Sequence, residues 1–189
     1  MDNHFFSAEI IDRAYQILAT TTPLSFDCGR LCGSICCSSQ APGTGMILFP
    51  GEERRYPKTL PWAEIEKYRH IRVNSPELPP DVTDFDLYLL RCHGVCSREQ
   101  RPLACRVFPL APLITENGVI RLVLDTDGME ICPLVHQGQI NRLRTGFVRQ
   151  VRRAFQLLAE DPRIRFWMEM ESTRRARQMQ EPWHRLVEL

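Results

Sequence analysis

Apolar positions near the N-terminus recur at helical spacing. Ile10, Ile11, Ala14, Ile17 and Leu18 share one face of a 3.6-residue repeat, which predicts an amphipathic helix from Ser7 to Ala19, capped by Ser7 and ended ahead of Pro23. Met46-Ile47-Leu48-Phe49 is a short apolar run between turn residues and predicts a strand. Pro61 followed by Trp62, Ile65 and Tyr68 predicts a short helix reaching Ile71. Asn74 to Asp84, rich in proline and acidic residues, reads as a surface loop, and Asp86 to Arg91 as a strand. Leu110–Thr115 and Val119–Asp125 flank Glu116-Asn117-Gly118, a hairpin signal, because Asn-Gly tolerates the positive φ of a tight turn. The last third reads as two helices, Ile140 to Glu160 and, past Pro162, Ile164 to Gln180. Ile140, Leu143, Phe147, Val151, Phe155 and Leu158 form the apolar stripe of the first.

These elements predict one α+β domain over residues 1–189. Short strands and a hairpin form a cysteine-rich core over 26–133, flanked by an N-terminal helix and a C-terminal helical extension over 138–180. The chain is long enough to bury a core without disulfide staples. Hydrophobic residues make up 43% and charged residues 25%, as in ordinary globular proteins, and a net charge of +1 gives no global field for nucleic acid or membrane. The first residues, Met1-Asp2-Asn3-His4-Phe5-Phe6, lack the basic and apolar regions of a secretory signal. No apolar run approaches the roughly 20 residues needed to span a bilayer. The expected compartment is the cytoplasm, where thiols stay reduced, so disulfides are disfavoured.

The cysteines change this ordinary picture. Cys28, Cys32, Cys36 and Cys37 fall within ten residues, and Cys92, Cys96, Cys105 and Cys132 complete the eight. Thiolates are soft, strong ligands, and clustered thiolates favour zinc or iron–sulfur over harder ions. Cys28, Cys32 and Cys36 are four apart, so a straight helix would align them. Its outer two would then stand about 12 Å apart, too far for one metal bonded at about 2.3 Å per thiolate. Either the helix breaks or the thiols serve different centres, and Gly29 and Gly33 favour a break. The eight could form one cluster with spare thiols or two four-thiolate sites. Buried inert cysteine is the plain alternative, disfavoured by the clustering.

Arg30, Arg91, Arg101 and Arg106 punctuate the same segments, and guanidinium groups would offset the negative charge of a thiolate centre. His93 and His136 stand close to cysteines in sequence but read as bystanders, since eight thiols suffice.

The pattern Phe26-x-Cys28-x3-Cys32-Gly33-x2-Cys36-Cys37, followed by Arg101-Pro102-x2-Cys105-Arg106-x-Phe108-Pro109, resembles the YkgJ-type cysteine-cluster family, described as a zinc- or iron-chelating domain. The resemblance covers about Phe26 to Pro133 and implies metal chelation by the cysteines. A related cluster in flagellin lysine methylases points to iron–sulfur chemistry in the wider group. The Cys28-x3-Cys32-x3-Cys36 spacing is looser than the family's usual signature, and no Ile-Tyr pair precedes Arg101-Pro102.

Other chemistry is thinly represented. No nucleotide-binding glycine loop, Gly-x-Ser-x-Gly elbow or His-Glu-x-x-His helix occurs, and Gly43-Thr44-Gly45 is too short to count. A cysteine–histidine nucleophile is the poorer reading of clustered thiols. Glu52-Glu53 reads as a helix start or a solvent-facing pair. Twenty-two arginines against two lysines, Lys58 and Lys67, concentrate on the C-terminal helices, whose arginines are expected on the solvent face. Trp167 and Trp183 read as packing residues.

The expectation is therefore metal binding through Cys28, Cys32, Cys36, Cys37, Cys92, Cys96, Cys105 and Cys132, with an iron–sulfur cluster slightly ahead of zinc. Two classes stay open: a redox or enzyme-accessory module, or a structural zinc module whose Arg-rich C-terminal helices meet a protein. A nucleic-acid partner is the weaker option without exposed aromatics among the arginines, and no membrane partner is expected.

Overall fold

The N-terminal apolar face forms helix α1, Asn3–Ile17, which begins one turn earlier than predicted and so places Ser7 inside the helix rather than at its cap. This computed structural model describes residues 3–38, 45–73, 84–93, 96–129, 131–136 and 140–179. The predicted loop over 74–84 and Trp183 fall almost wholly outside them. Two short helices follow in the cysteine run, α2 (Gly29–Cys32) and α3 (Ile35–Ser38). Strands β1 (Met46–Ile47), β2 (Ala63–Ile71) and β3 (Phe85–Cys92) form an antiparallel sheet in the order β1-β3-β2. The short helix α4 (Leu103–Val107) leads into the hairpin of β4 (Leu110–Ile114) and β5 (Ile120–Leu124). Then come α5 (Pro133–His136), α6 (Thr145–Leu158) and α7 (Pro162–Met179). The fold is α+β, as the sequence predicts.

The hairpin forms in the predicted place, and of the Asn-Gly pair Gly118 carries the positive φ, +74°. The segment after Pro61 does not. It is strand β2, paired along its length with β3 from Ala63 opposite Cys92 to Ile71 opposite Phe85, with a bulge between Lys67 and Arg69. The helical spacing of Trp62, Ile65 and Tyr68 was misleading because Tyr68 is exposed at the bulge, while Trp62, Ala63 and Ile71 are buried. Sheet pairing with a distant partner overrides local periodicity. Only Met46–Ile47 of the predicted first strand is strand, although Leu48 N–H still donates to Tyr88 O at 2.9 Å.

The predicted helix from Ile140 is broken. A 3-10 turn, Ile140–Arg142, precedes α6, and Arg144 between them is extended. Helix α7 starts as its sequence dictates. Asp161 Oδ1 accepts from the N–H groups of Arg163 (2.8 Å) and Ile164 (3.1 Å), and Pro162 fills the first helical position, where no donor is needed. The stripe Phe147, Val151, Phe155 and Leu158 is buried with Ile10, Ile11, Ala14 and Leu18 of α1 and Leu110, Leu122 and Leu124 of the hairpin. Each of these side chains except Ala14 contributes about 1.5–3 kcal/mol by burial. Leu48, Trp62, Ala63, Leu90 and Cys96 form a second, smaller core against the three-stranded sheet.

One buried charge-bearing group ties these parts together. Glu52 opens the 3-10 turn Glu52–Arg55, as a helix-starting acid would, but it is fully buried rather than facing solvent. Its carboxyl accepts from the Tyr15 hydroxyl (2.6 Å), the Leu103 N–H (2.8 Å) and the Phe49 N–H (2.9 Å). Tyr15 meets the Tyr56 hydroxyl at 3.0 Å, and Tyr56 donates to Gln100 O at 3.2 Å. The guanidinium groups of Arg55 and Arg106 stand 4.0 and 4.5 Å from the centre of the Tyr15 ring.

Burial pushes the Glu52 carboxyl above its ordinary value, despite these donors and nearby Arg106. The unfolded chain gives up this proton first as pH rises, so the native state binds more protons in the window just above the ordinary carboxylate range. Stability should fall with rising pH across that window. Urea unfolding from acid to neutral pH should therefore show the wild type losing ground relative to Glu52→Gln, and parallel pH profiles would refute the assignment. Glu52→Ala, which strands three buried donors, should cost about 3 kcal/mol or more at any pH in that range.

Candidate metal centre

The cysteine run breaks between Cys32 and Ile35. Asp27 Oδ1 accepts from Gly29 N–H at 3.1 Å as the chain enters α2. Gly33 then takes φ +61° and Ser34 φ +57°, so the backbone reverses before α3 instead of continuing as a straight helix. Ser34 N–H closes the turn onto Gly29 O at 2.9 Å. An L side chain at Gly33 would be strained by the positive φ, so the turn favours glycine there, while a Cβ on Gly29 would only displace the Ser34 hydroxyl.

The turn delivers Cys28, Cys32 and Cys36 to one small cavity of about 30 Å³. Its opposite wall comes from a segment about a hundred residues away: Ile131, Cys132, Pro133 and Leu134, with Phe108 and Pro109 between. Cys132 is placed by its own N–H, which donates to Gly128 O at 2.8 Å, and by α5, whose His136 N–H returns to Cys132 O at 2.9 Å. Four thiols thus border a space with room for a single small ion or a few water-sized groups. They border it rather than converging on one point: among the described residues, no three Cys, His, Asp or Glu side chains are drawn into a ligating arrangement.

The electrostatics are those of partly buried thiols crowded together. Burial raises Cys28, and Asp27, Cys132 and Cys32 raise it further, against an opposing pull from Arg101. Burial also raises Cys132, the backbone N–H groups of Val135 and Leu134 favour its thiolate, and Cys32 disfavours it. A bound cation reverses this balance, since it takes thiolates in preference to thiols. By donor chemistry, four sulfurs at an apolar cavity suit zinc or iron rather than a hard ion; by size, the cavity takes a single ion more readily than a cluster.

The other predicted ligands lie elsewhere. Cys96 is buried in the smaller core with Trp62, and Cys92 packs against that cluster from the end of β3. Cys105, half-buried on α4, is close enough for its charge to act on Tyr56, whose ring meets Trp62 at 6.4 Å between centroids. The side chain of Cys37 lies outside the described residues. His93 faces Glu64 at 3.5 Å, and both it and exposed His136 are absent from the cavity wall. The seven cysteines with described side chains are thiols, none of them in a disulfide.

Of the arginines expected to offset a thiolate centre, Arg101 acts on Cys28. Arg30 is exposed, and Arg91 donates to Glu66 Oε1 at 2.7 Å. Arg106 does structural work that its sequence position hides. It donates through Nε to Arg101 O (2.8 Å) and through Nη2 to Arg98 O and Glu99 O (both 2.9 Å). Arg98 in turn donates to Ala19 O at 3.0 Å and to Leu18 O and Thr21 O, capping the end of α1. The sequence reading missed both roles and that of Glu52. The one signal available was the Arg-Pro-x-x-Cys-Arg motif, which marks the loop without showing that its last arginine holds it.

No family model, curated protein or solved structure matches this chain. Among the described residues no helix is long and apolar enough to cross a membrane.

If Arg106 holds this loop through a fan of three carbonyls, lysine cannot replace it, because an ammonium lacks the planar fork. Arg106→Lys should lower stability by about 2 kcal/mol in urea unfolding, while exposed Arg30→Gln should change it by less than about 0.5 kcal/mol. Equal effects from the two substitutions would count against the role.

Proposed function

We propose that this protein chelates a thiophilic metal centre, zinc or an iron–sulfur cluster, through Cys28, Cys32, Cys36 and Cys132. The observation that carries the reading is the meeting of these four thiols at one cavity, from segments about a hundred residues apart. A glycine turn supports it, because it breaks the helix that would otherwise hold Cys28 and Cys36 apart. So does Arg101, whose positive charge offsets that of a thiolate centre. The motif resemblance to YkgJ-type cysteine-cluster proteins points to the same chemistry. When bound, the centre would supply either a structural cross-link between the N-terminal turn and α5 or an electron-accepting site. Cys28 to Cys36 would hold it from one side and Cys132 from the other.

The test is anaerobic purification of the full chain, followed by elemental analysis and an absorbance spectrum. Near-stoichiometric zinc in a colourless protein, or iron with sulfide and visible absorption, is the expected result. Cys132→Ser should lower metal content at least about tenfold, because a four-ligand site loses a thiolate. Cys92→Ser, outside the cavity, should leave it unchanged. Retention of full metal by a Cys28→Ser, Cys132→Ser double variant would exclude this ligand set.

A further inference from the structure

The two C-terminal helices are both rich in arginine, but their charges are neutralised very differently. On α7, Arg165 pairs with Glu169 at 3.0 Å, and Arg174 pairs with Asp127 at 2.8 Å and Glu171 at 2.9 Å. Arg175, only 7% exposed, lies 3.6 Å from Asp125, and Arg163 lies 3.6 Å from Asp161. The α7 arginines largely serve the fold.

The α6 region has nothing comparable. The 29 residues between Glu130 and Glu160 contain no acidic residue and five arginines, Arg142, Arg144, Arg149, Arg152 and Arg153, in a chain whose net charge is only +1. Among the described residues none of the five makes an ion pair or a side-chain hydrogen bond. Arg142, Arg144, Arg149 and Arg153 are exposed and Arg152 half-exposed, while Phe147, Val151, Ala154 and Phe155 bury the opposite face.

This arrangement costs the free protein stability. Arg149 has like charges at i+3 and i+4, each unfavourable by about 0.2–0.5 kcal/mol. Arg142 and Arg144 sit at the N-terminal end of α6, where the helix dipole disfavours cations, and the first turn carries no acidic residue to relieve them. Folding gains nothing from these charges, so a binding partner is the simplest account of their placement.

We propose that the Arg142–Arg153 face of α6 docks an acidic protein segment, in particular a helix with carboxylates at i and i+4. Arg149 and Arg153 are one turn apart, about 6 Å, which matches that carboxylate spacing. Guanidinium forks bind carboxylates in bidentate fashion, and arginine is enriched at protein interfaces. Nucleic acid fits less well. The aromatics of α6, Phe147 and Phe155, are buried and offer no stacking platform, and the rest of the surface is not basic. The inference does not depend on the metal reading.

The experiment uses the full chain and fluorescence anisotropy with three labelled probes: a helical peptide with glutamates at i and i+4, and an RNA and a DNA oligonucleotide of equal charge. The peptide should bind at low salt and weaken at least about tenfold between 50 and 300 mM salt. Arg149→Glu with Arg153→Glu should weaken it at least about tenfold, and Arg165→Gln on α7 should not change it. Thermal unfolding of the double variant should match or exceed that of the wild type, which shows that the loss is not a folding defect. The proposal is overturned if the peptide does not bind, if charge reversal leaves its affinity unchanged, or if an oligonucleotide binds more tightly through the same arginines. A double variant that melts well below the wild type would also overturn it, since the arginines would then be structural.

Discussion

A buried carboxyl that accepts three hydrogen bonds is the constraint from which the rest of the structure hangs. Glu52 receives donors from Tyr15, 37 residues before it, and from Leu103, 51 residues after it, and so fixes α1, the turn after β1 and the start of α4 to one point. Burying a carboxyl is costly, and the cost is tolerable only when its lone pairs are satisfied. Every partner must therefore be in place together. That requirement makes the junction specific in a way that apolar packing alone would not.

The cysteine site is downstream of that junction. Leu103 begins α4, and Arg106 on the same helix holds the carbonyls of Arg98, Glu99 and Arg101. Arg98 then grips the carbonyls at the end of α1, just before the chain turns into the cysteine run. Arg101, carried on the same loop, reaches the field of Cys28. Hydrogen bonds thus link the buried acid, through α4, to the Arg98–Arg101 loop, whose Arg101 acts on Cys28 through its charge. The thiols are positioned by this frame and by the left-handed turn at Gly33 and Ser34, not by the regular elements alone.

Much of this was legible in the sequence where the signal is local. The apolar faces of α1 and α6 and the Gly118 hairpin follow from spacing and from single residues with fixed backbone preferences, while α7 was read from Ile164, two residues after its Pro162 start. The spacing of Cys28, Cys32 and Cys36 left open a broken helix or separate centres, and the glycines favoured the break that forms at Gly33 and Ser34. What was not legible depended on distant partners. β2 looks helical until β3 is laid beside it. Glu52 looks like any surface acid until Tyr15 and Leu103 arrive. Which cysteines face one another could not be read from spacing, because Cys132 meets the first run only after the whole core has formed.

The arginine bias gains a physical meaning once the side chains are placed. A guanidinium group offers five donors in a rigid plane, so it can satisfy several carbonyls at once, as Arg98 and Arg106 do around the cysteine-bearing loop. On α7 the same group makes ion pairs that join the helix to the Asp125–Asp127 turn, as Arg174 does to Asp127 at 2.8 Å. Lysine could supply the charge but not the geometry of either use, since Arg174 meets both Asp127 oxygens at once. The arginine-rich composition therefore serves two structural demands. What neither demand accounts for is the acid-free stretch on α6, where the charge is present, the geometry is open and the fold gains nothing. Among the described residues the α6 arginines make no ion pair, and that separates α6 from α7 despite their similar composition.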